Sequence, residues 1–128
     1  MTVIETSRLI LSELKTEDAA FILKLYNDRD FISYISDKGI RSIKDAEKFI
    51  ENGPKQSYRE HRHGLYLVQL KDFTSIGICG LLKRVNLDLP DIGFAILPDY
   101  RRMGFIYEAS KAVIQDAKKR LLYDKIVA

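Results

Sequence analysis

The hydrophobic positions of this chain follow two different periods, and its first two segments show one of each. Residues 8–14 separate into two faces with a period of two, which predicts a short strand. In residues 17–28 apolar side chains recur three, four and seven positions apart, which predicts an amphipathic helix. Thr16 precedes this segment and carries a side-chain oxygen suited to capping the helix.

A second helix is predicted to begin after Ser42, whose hydroxyl is a suitable cap. Ile43, Ala46 and Ile50 then share one face. The pair Gly53-Pro54 is expected to end or break this helix. Residues 55–63 are polar without a clear period, so a further helical piece remains open there.

From residue 65 onwards the period changes to that of strands. Three short β-type runs cover residues 65–71, 75–84 and 91–97. The connections at 72–74 and 85–90 are short enough for antiparallel hairpins. These runs therefore predict neighbouring strands of one sheet.

A long helical pattern over residues 105–122 follows the third run. Residues 125–128, Lys followed by the apolar run Ile-Val-Ala, look like the opening of another strand. The predicted order is β-α-α-β-β-β-α-β. That order is typical of an α+β (mixed α/β) fold with helices flanking the sheet.

Composition and charge exclude several classes of protein. The chain has 128 residues, 46% of them hydrophobic and 30% charged, which indicates one globular domain. The net charge is only +3, and basic and acidic residues are interspersed along the chain. A nucleic-acid ligand is therefore not expected. No apolar run approaches a membrane span, and Glu5 and Arg8 interrupt a potential signal peptide. The single cysteine, Cys79, fits a reducing compartment, and we expect a cytoplasmic protein.

The chemistry of the chain is concentrated where the last run of the sheet leads into the long helix. Arg101 and Arg102 precede Gly104, and the helix begins directly afterwards. Free amides at a helix N-terminus attract anions, and a glycine lets a phosphate come close to the backbone. On these residues alone, a phosphate site and a solvated turn capped by glycine both remain open.

Three segments together resemble the GNAT superfamily of N-acetyltransferases. Residues 91–105, followed by Glu108-Ala109, resemble its acetyl-CoA-binding motif: an acidic-Ile-Gly-aromatic strand, then Leu-Pro-x-Tyr-Arg and the phosphate loop. Residues 5–11 and 76–81 resemble the first and third strands of the branch that includes the ribosomal-protein alanine acetyltransferases. The resemblance spans the whole chain in the right order and implies a GNAT-like, mostly antiparallel central sheet.

The resemblance also implies the reaction. A primary amine attacks the acetyl group of acetyl-CoA directly, without an acyl-enzyme and without a metal. The acceptor is a protein N-terminal α-amine, an amino-sugar antibiotic or a small amine. The alternative is a non-catalytic CoA-binding or regulatory module with the same fold.

The family's cofactor contacts can be carried over to individual residues. Backbone groups of Ile96 and Leu97 would bind the pantetheine arm as an added strand would. In two places the sequence departs from the family pattern: Ile106 stands where the family has a small residue, and Arg102 where glycine is frequent. The pyrophosphate contacts fall on six consecutive residues: Arg101, Arg102, Met103, Gly104, Phe105 and Ile106.

For proton transfer the resemblance points to Asp91, since family members carry an acid at that strand position. Asp91 would act as a base through water, because an ammonium cannot attack a carbonyl. The other reading of Asp91 is a solvated residue at the start of a strand. The general acid that protonates the departing thiolate is expected beyond residue 128.

The resemblance further implies that the family's domain continues through another helix and two more strands. We therefore expect residues 1–128 to form a single but incomplete domain, C-terminally truncated, which leaves a sheet edge open at residues 125–128. Such a chain would be inactive if the missing part completes the site. A second copy of the chain, in a homodimer, would cover the open edge.

Two other chemistries are not expected. Cys79 lies in an apolar run and is interpreted as a small core side chain rather than an acyl-carrying nucleophile. His61 and His63 are two residues apart, without a cysteine or second carboxylate at ligand spacing, so no metal site is expected there.

Overall fold

Five antiparallel strands form the centre of the fold in the computed structural model, which describes residues 2–28, 39–82 and 91–120. Their order across the sheet follows their order in the sequence, so each strand pairs with the next. The strands are β1 (Thr2–Glu5), β2 (Leu9–Glu13), β3 (Leu65–Leu70), β4 (Ser75–Leu82) and β5 (Asp91–Ile96).

Helices accompany the sheet in the order that the sequence predicts. Ser42 caps α2 as expected, because its Oγ accepts a hydrogen bond from the Asp45 N–H at 3.1 Å. Thr16 does not cap α1. Its hydroxyl instead bonds the Glu51 carboxylate and accepts from Lys55 Nζ. The helices are α1 (Ala19–Tyr26, after a 3-10 turn at Thr16–Asp18), α2 (Ile43–Asn52), α3 (Pro54–His61) and α4 (Phe105–Arg120).

Alternating side chains of the strands build a core on each face of the sheet. In β3, Leu65 and Leu67 point to one face while Tyr66 and Val68 point to the other. We call the first the α1-side core, and it also includes Ile22, Leu25, Ala46, Ile50, Ile78 and Ala95. We call the second the α4-side core, and it also includes Leu9, Leu11, Ile76, Cys79, Ile96, Phe105, Ala109 and Val113.

Two details of β4 concern its pairing with β3 and the residue before it. Val68 of β3 pairs with Gly77 while Gln69 pairs with Ser75, so Ile76 is an extra residue at an irregularity in the register. Further along, a Cβ on Gly80 would lie 1.9 Å from the Gly64 carbonyl oxygen. Only glycine fits there without movement of the backbone, which explains the residue in this apolar strand.

The mixed α+β fold with a GNAT-like antiparallel sheet is confirmed. The strands predicted over residues 8–14, 65–71, 75–84 and 91–97 and the long helix from residue 105 are present, and their ends lie within one residue of the predicted ones wherever the flanking residues are described. Residues 55–63 do contain a helix, α3. β1 was not predicted as a strand of its own, because its four residues have no buried alternating face and are held by pairing with β2.

Some predictions fall outside the described residues, namely the strand at 125–128, the last residues of the long helix and the connection at 85–90. Within the residues that are described, no helix is long and apolar enough to span a membrane.

Candidate cofactor site at the start of α4

The residues between β5 and α4 form a tight turn with two left-handed backbone positions. After a 3-10 turn at Pro98–Tyr100, residues 101–104 lead into α4, and we call them the 101–104 loop. Arg102 has φ 65° and Gly104 has φ 80°. Glycine adopts this conformation at little cost, whereas an arginine is strained in it. Left-handed residues among right-handed ones turn successive N–H groups toward one side, where they can surround an anion.

The first turn of α4 leaves its amides available. The helical ladder begins with the Glu108 N–H, which donates to the Gly104 carbonyl at 3.0 Å. The amides that precede Glu108 in this turn have no carbonyl one turn earlier. Gly104 precedes the helix and has no side chain with which to cap them. The helix dipole adds partial positive charge at the same place, so the geometry suits an anion such as a pyrophosphate.

Arg8 braces this loop from the turn between β1 and β2. Its Nη1 donates to the Met103 carbonyl at 3.0 Å, and its guanidinium carbon lies 4.4 Å from the centre of the Phe105 ring. Its Nε donates to Glu108 Oε1 at 2.6 Å. One side chain therefore contacts the loop, the first residue of the helix and the first helical turn.

Glu108 receives hydrogen bonds from the β1–β2 turn on both carboxylate oxygens. In addition to the Arg8 side chain, the Thr6 hydroxyl and the Arg8 backbone N–H donate to Oε2. Burial raises the pKa of Glu108, but these hydrogen bonds outweigh it and hold the pKa below its ordinary value. The carboxylate is therefore charged at neutral pH and ties the two elements together.

The sequence alone does not reveal this contact between the β1–β2 turn and α4. Thr6, Arg8 and Glu108 belong to two segments that carry the family resemblance, but no pattern along the chain connects residues about a hundred positions apart. The only available signal was the opposite charge of Arg8 and Glu108. Because the chain has 21 basic and 18 acidic residues, such a signal does not single out one pair.

The side chain of Arg101 points away from the 101–104 loop. Its Nε and Nη2 donate to the Ile96 carbonyl at 3.2 and 2.9 Å, and Nη2 lies 3.6 Å from Asp28 Oδ1 at the end of α1. The predicted contribution of Arg101 to an anion site is thus confined, in this conformation, to its backbone. Its guanidinium joins the loop to β5 and to α1.

The backbone groups of Ile96 and Leu97 face opposite directions. The Leu97 N–H donates to Ile76 of β4 at 2.8 Å, and its carbonyl accepts from the Tyr100 N–H at 3.1 Å. Both groups of Leu97 are therefore used within the fold. Because antiparallel pairing alternates, the N–H and C=O groups of Ile92, Phe94 and Ile96 point to the other edge of β5. In the described part of the chain no further strand pairs with that edge.

A shallow apolar recess lies between β4, β5 and the start of α4, with about 210 Å³ of empty space that includes open solvent. Ile106 is half-buried, lines this recess and packs against the α4-side core. Phe94 lines it from β5 with 46% of its surface exposed. Cys79 lies at its base, and burial raises the pKa of its thiol to about 11. The thiol is thus protonated at neutral pH, in agreement with a core role.

Asp91 lies at the far end of β5 from the 101–104 loop. It opens the strand, pairs with Leu82 of β4 and is half-buried. The six residues of β5 span about 17 to 20 Å at the usual rise per residue. An anion bound at the loop and a proton acceptor at Asp91 would thus lie at opposite ends of one strand.

Comparisons with known proteins identify the family and the fold. Residues 8–128 match the family model described as an acetyltransferase (GNAT) domain. Among curated proteins, none matches the sequence. Among solved structures, the GNAT-family acetyltransferase from Bacillus anthracis is similar, with 20% identity, a TM-score of 0.78, and coverage of 98% of this chain and 71% of that one.

Two further structures carry more specific names. A mutant of the spermidine N-acetyltransferase SpeG from Vibrio cholerae has 21% identity and a TM-score of 0.70, covering 94% of this chain and 69% of that one. The microcin self-immunity acetyltransferase MccE, in complex with acetyl-CoA and AMP, has 17% identity and a TM-score of 0.72, covering 88% of this chain and 63% of that one. At these identities the likeness shows a shared fold.

Proposed function

Because this chain belongs to the GNAT acetyltransferase domain family, we propose that it transfers an acetyl group from acetyl-CoA to a primary amine. The observation that carries this proposal is the 101–104 loop with its left-handed Arg102 and Gly104, which leads into the first turn of α4 beside the outward edge of β5. An anion site and a strand edge that no other described strand pairs with suit a ligand that has a pyrophosphate and an amide-bearing arm.

The residues present fit such a ligand. The amides of residues 102–106 would hold the pyrophosphate, and Gly104 adopts the left-handed conformation of the loop at little cost. The outward N–H and C=O groups of Phe94 and Ile96 would bind the amides of the pantetheine arm as a neighbouring strand would. The Ile96 carbonyl already accepts from Arg101, so the arm and the guanidinium would share or exchange this acceptor.

Acetyl-CoA supplies an acetyl group activated as a thioester. In the proposed reaction the neutral amine attacks the acetyl carbon, a C–N bond forms, the C–S bond breaks, and CoA departs as the thiol. Placing the amine next to the thioester provides much of the rate acceleration. Asp91 is proposed to accept the amine proton through water, and a general acid is proposed to protonate the departing thiolate.

The acceptor is proposed to be a primary amine, on a small molecule or at a protein N-terminus. The similarity to SpeG, which is named as a spermidine N-acetyltransferase, favours a small amine. The resemblance of residues 5–11 and 76–81 to the ribosomal-protein alanine branch favours an N-terminal α-amine instead. The reaction is proposed to take place in the cytoplasm, and a homodimer is proposed to cover the sheet edge expected at residues 125–128.

The test has two stages. Isothermal titration of the folded protein with acetyl-CoA should show binding. Release of free thiol, followed with a chromogenic disulfide, should then depend on the added amine. The panel consists of spermidine, an aminoglycoside and a peptide with N-terminal alanine. Absence of binding to the folded protein at millimolar acetyl-CoA would refute the proposal.

A non-catalytic CoA-binding module is the second candidate, and Ile106 favours it. A branched side chain stands there where the family has a small residue at the phosphate loop. The two candidates differ in one result: the module binds acetyl-CoA but releases no thiol with any amine. Ile106→Ala should then tighten CoA binding if this side chain limits access to the loop.

A further inference from the structure

We infer that Arg8 is a positioning residue for the phosphate-binding loop, and that it acts by holding the Met103–Gly104 peptide in one orientation. This inference rests on the proposed use of CoA. Arg8 lies in the β1–β2 turn, outside the segment that carries the acetyl-CoA-binding motif. Its side chain contacts both the 101–104 loop and Glu108.

The plane of the Met103–Gly104 peptide determines where the Gly104 N–H points. A trans peptide is planar, and its C=O and N–H point in opposite directions. The Met103 carbonyl points to Arg8 Nη1, 3.0 Å away, so the Gly104 N–H points to the side of the loop away from Arg8. Gly104 has φ 80°, and a Cβ built on it would lie 3.4 Å from Arg8 Nη2, so the missing side chain lies on the Arg8 side and the amide on the other. By holding the carbonyl, Arg8 directs this amide outward, where the pyrophosphate is proposed to bind.

Arg8 is itself held in place by Glu108 and Phe105. Its Nε is fixed by Glu108 Oε1 at 2.6 Å, and its guanidinium lies over the Phe105 ring at 4.4 Å. The Thr6 hydroxyl holds the other oxygen of Glu108. A planar guanidinium can donate to Glu108 and to Met103 at the same time while it stacks on a ring. The side chain is 46% exposed, yet its direction is determined by these contacts.

Charge alone does not reproduce this arrangement. A lysine ammonium is a point charge without the fixed fork, so it can pair with Glu108 or reach Met103 but lacks the geometry for both. Arg8→Lys therefore keeps the positive charge near the loop and removes the control of the peptide plane. This separates positioning from simple electrostatic attraction.

The experiment compares Arg8→Lys and Arg8→Gln with the wild type. CoA affinity is measured by isothermal titration, and the Gly104 amide is followed by NMR during the same titration. Pantetheine, which lacks the pyrophosphate, is the control ligand. Lys71→Gln is the matched control variant. Lys71 also forms an exposed ion pair, with its Nζ 2.6 Å from Glu5 Oε2 at the end of β1, but this pair does not involve the 101–104 loop.

Both Arg8 variants are expected to bind CoA about 10- to 100-fold more weakly, the range for losing one well-aimed hydrogen bond to a charged group. Pantetheine binding should stay within twofold of the wild type, and the CoA-dependent shift of the Gly104 amide should shrink. Lys71→Gln should bind CoA like the wild type.

Three results would overturn the inference. Arg8→Lys could bind CoA as tightly as the wild type, or it could lose pantetheine and CoA to the same extent, which would indicate general damage to the fold. If instead the folded wild type binds no CoA, the proposed function itself is refuted and the role of Arg8 falls with it. The wild-type titration therefore distinguishes the two failures.

Discussion

Arg8 Nε and Glu108 Oε1 lie 2.6 Å apart although the two residues are separated by 100 positions in the sequence. The pair joins the turn between β1 and β2 to the first turn of α4. Since the Thr6 hydroxyl and the Arg8 N–H bind the second carboxylate oxygen, the whole turn is fastened to the helix. The start of α4 is thus held on one side by this pair and on the other by Arg101, whose guanidinium reaches β5.

The Glu108 carboxylate should make the stability of the protein depend on pH. Its folded-state pKa lies below the ordinary value of 4.5. Its contribution is therefore complete above that value and is lost as the pH falls through the folded-state pKa. We expect the difference in unfolding free energy between the wild type and Glu108→Gln to be largest near pH 6 and to shrink toward pH 3. Urea titrations at several pH values would measure it, and a difference that stays constant over this range would contradict the assignment.

Arg102 is expected to be a site where glycine stabilises the fold. A left-handed conformation costs a side-chain-bearing residue about 1–2 kcal/mol, partly offset by the greater freedom of glycine in the unfolded chain. Arg102→Gly should therefore raise the unfolding free energy by up to about 1 kcal/mol. The control is Gln115→Gly, an exposed position inside α4, where glycine should cost about 1 kcal/mol. Equal losses in both variants would show that Arg102 is not strained.

Gly80 should tolerate no larger residue. A methyl group there would meet the Gly64 carbonyl oxygen at 1.9 Å, and backbone cannot move aside as a flexible side chain can. We expect Gly80→Ala to lower the unfolding free energy by about 3 kcal/mol or more. Gly93, its partner across the β4–β5 pair, is the matched control, because an added Cβ there meets the end of the Leu82 side chain. Similar losses at both glycines would contradict the steric explanation.

Cys79 should be unreactive while the protein is folded. Burial raises the pKa of its thiol to about 11, so at pH 8 it carries much less thiolate than an exposed cysteine. Labelling by iodoacetamide should be at least about two orders of magnitude slower than in urea. Cys79→Ala should retain any acetyl transfer that the wild type shows. Rapid labelling of the folded protein would place the thiol at the surface and reopen a nucleophilic role.

The Arg101 side chain is expected to stabilise the fold even without a ligand. Its hydrogen bonds to the Ile96 carbonyl and its approach to Asp28 link three elements. Arg101→Ala should lower the unfolding free energy of the ligand-free protein by about 1–3 kcal/mol, the range for a hydrogen bond to a charged group. Arg102→Ala is the control, since Arg102 precedes Met103 in the same loop but is exposed. An unchanged denaturation midpoint for Arg101→Ala would assign its side chain to the ligand instead.

Most of the fold was predictable because the signals that determine it are local. Apolar spacing of three and four residues determined the face that α4 buries, and a period of two determined which residues of β3 face each core. The Ser42 cap and the Gly53-Pro54 break acted as expected, since each depends on neighbours within one helical turn. β1 escaped prediction because pairing with β2, rather than its own pattern, makes it a strand.

In the candidate site, too, local features were predictable from the sequence and long-range contacts were not. By itself the sequence determined that a glycine-containing loop opens a helix after a strand, and its motif carried the resemblance to the acetyltransferase family. Only the tertiary structure decided where the arginines point: Arg101 toward β5 and α1, and Arg8 toward the loop. The physical reason is range. Backbone conformation is governed by adjacent residues, whereas a charged side chain on a folded surface takes the partners that distant parts of the chain bring next to it.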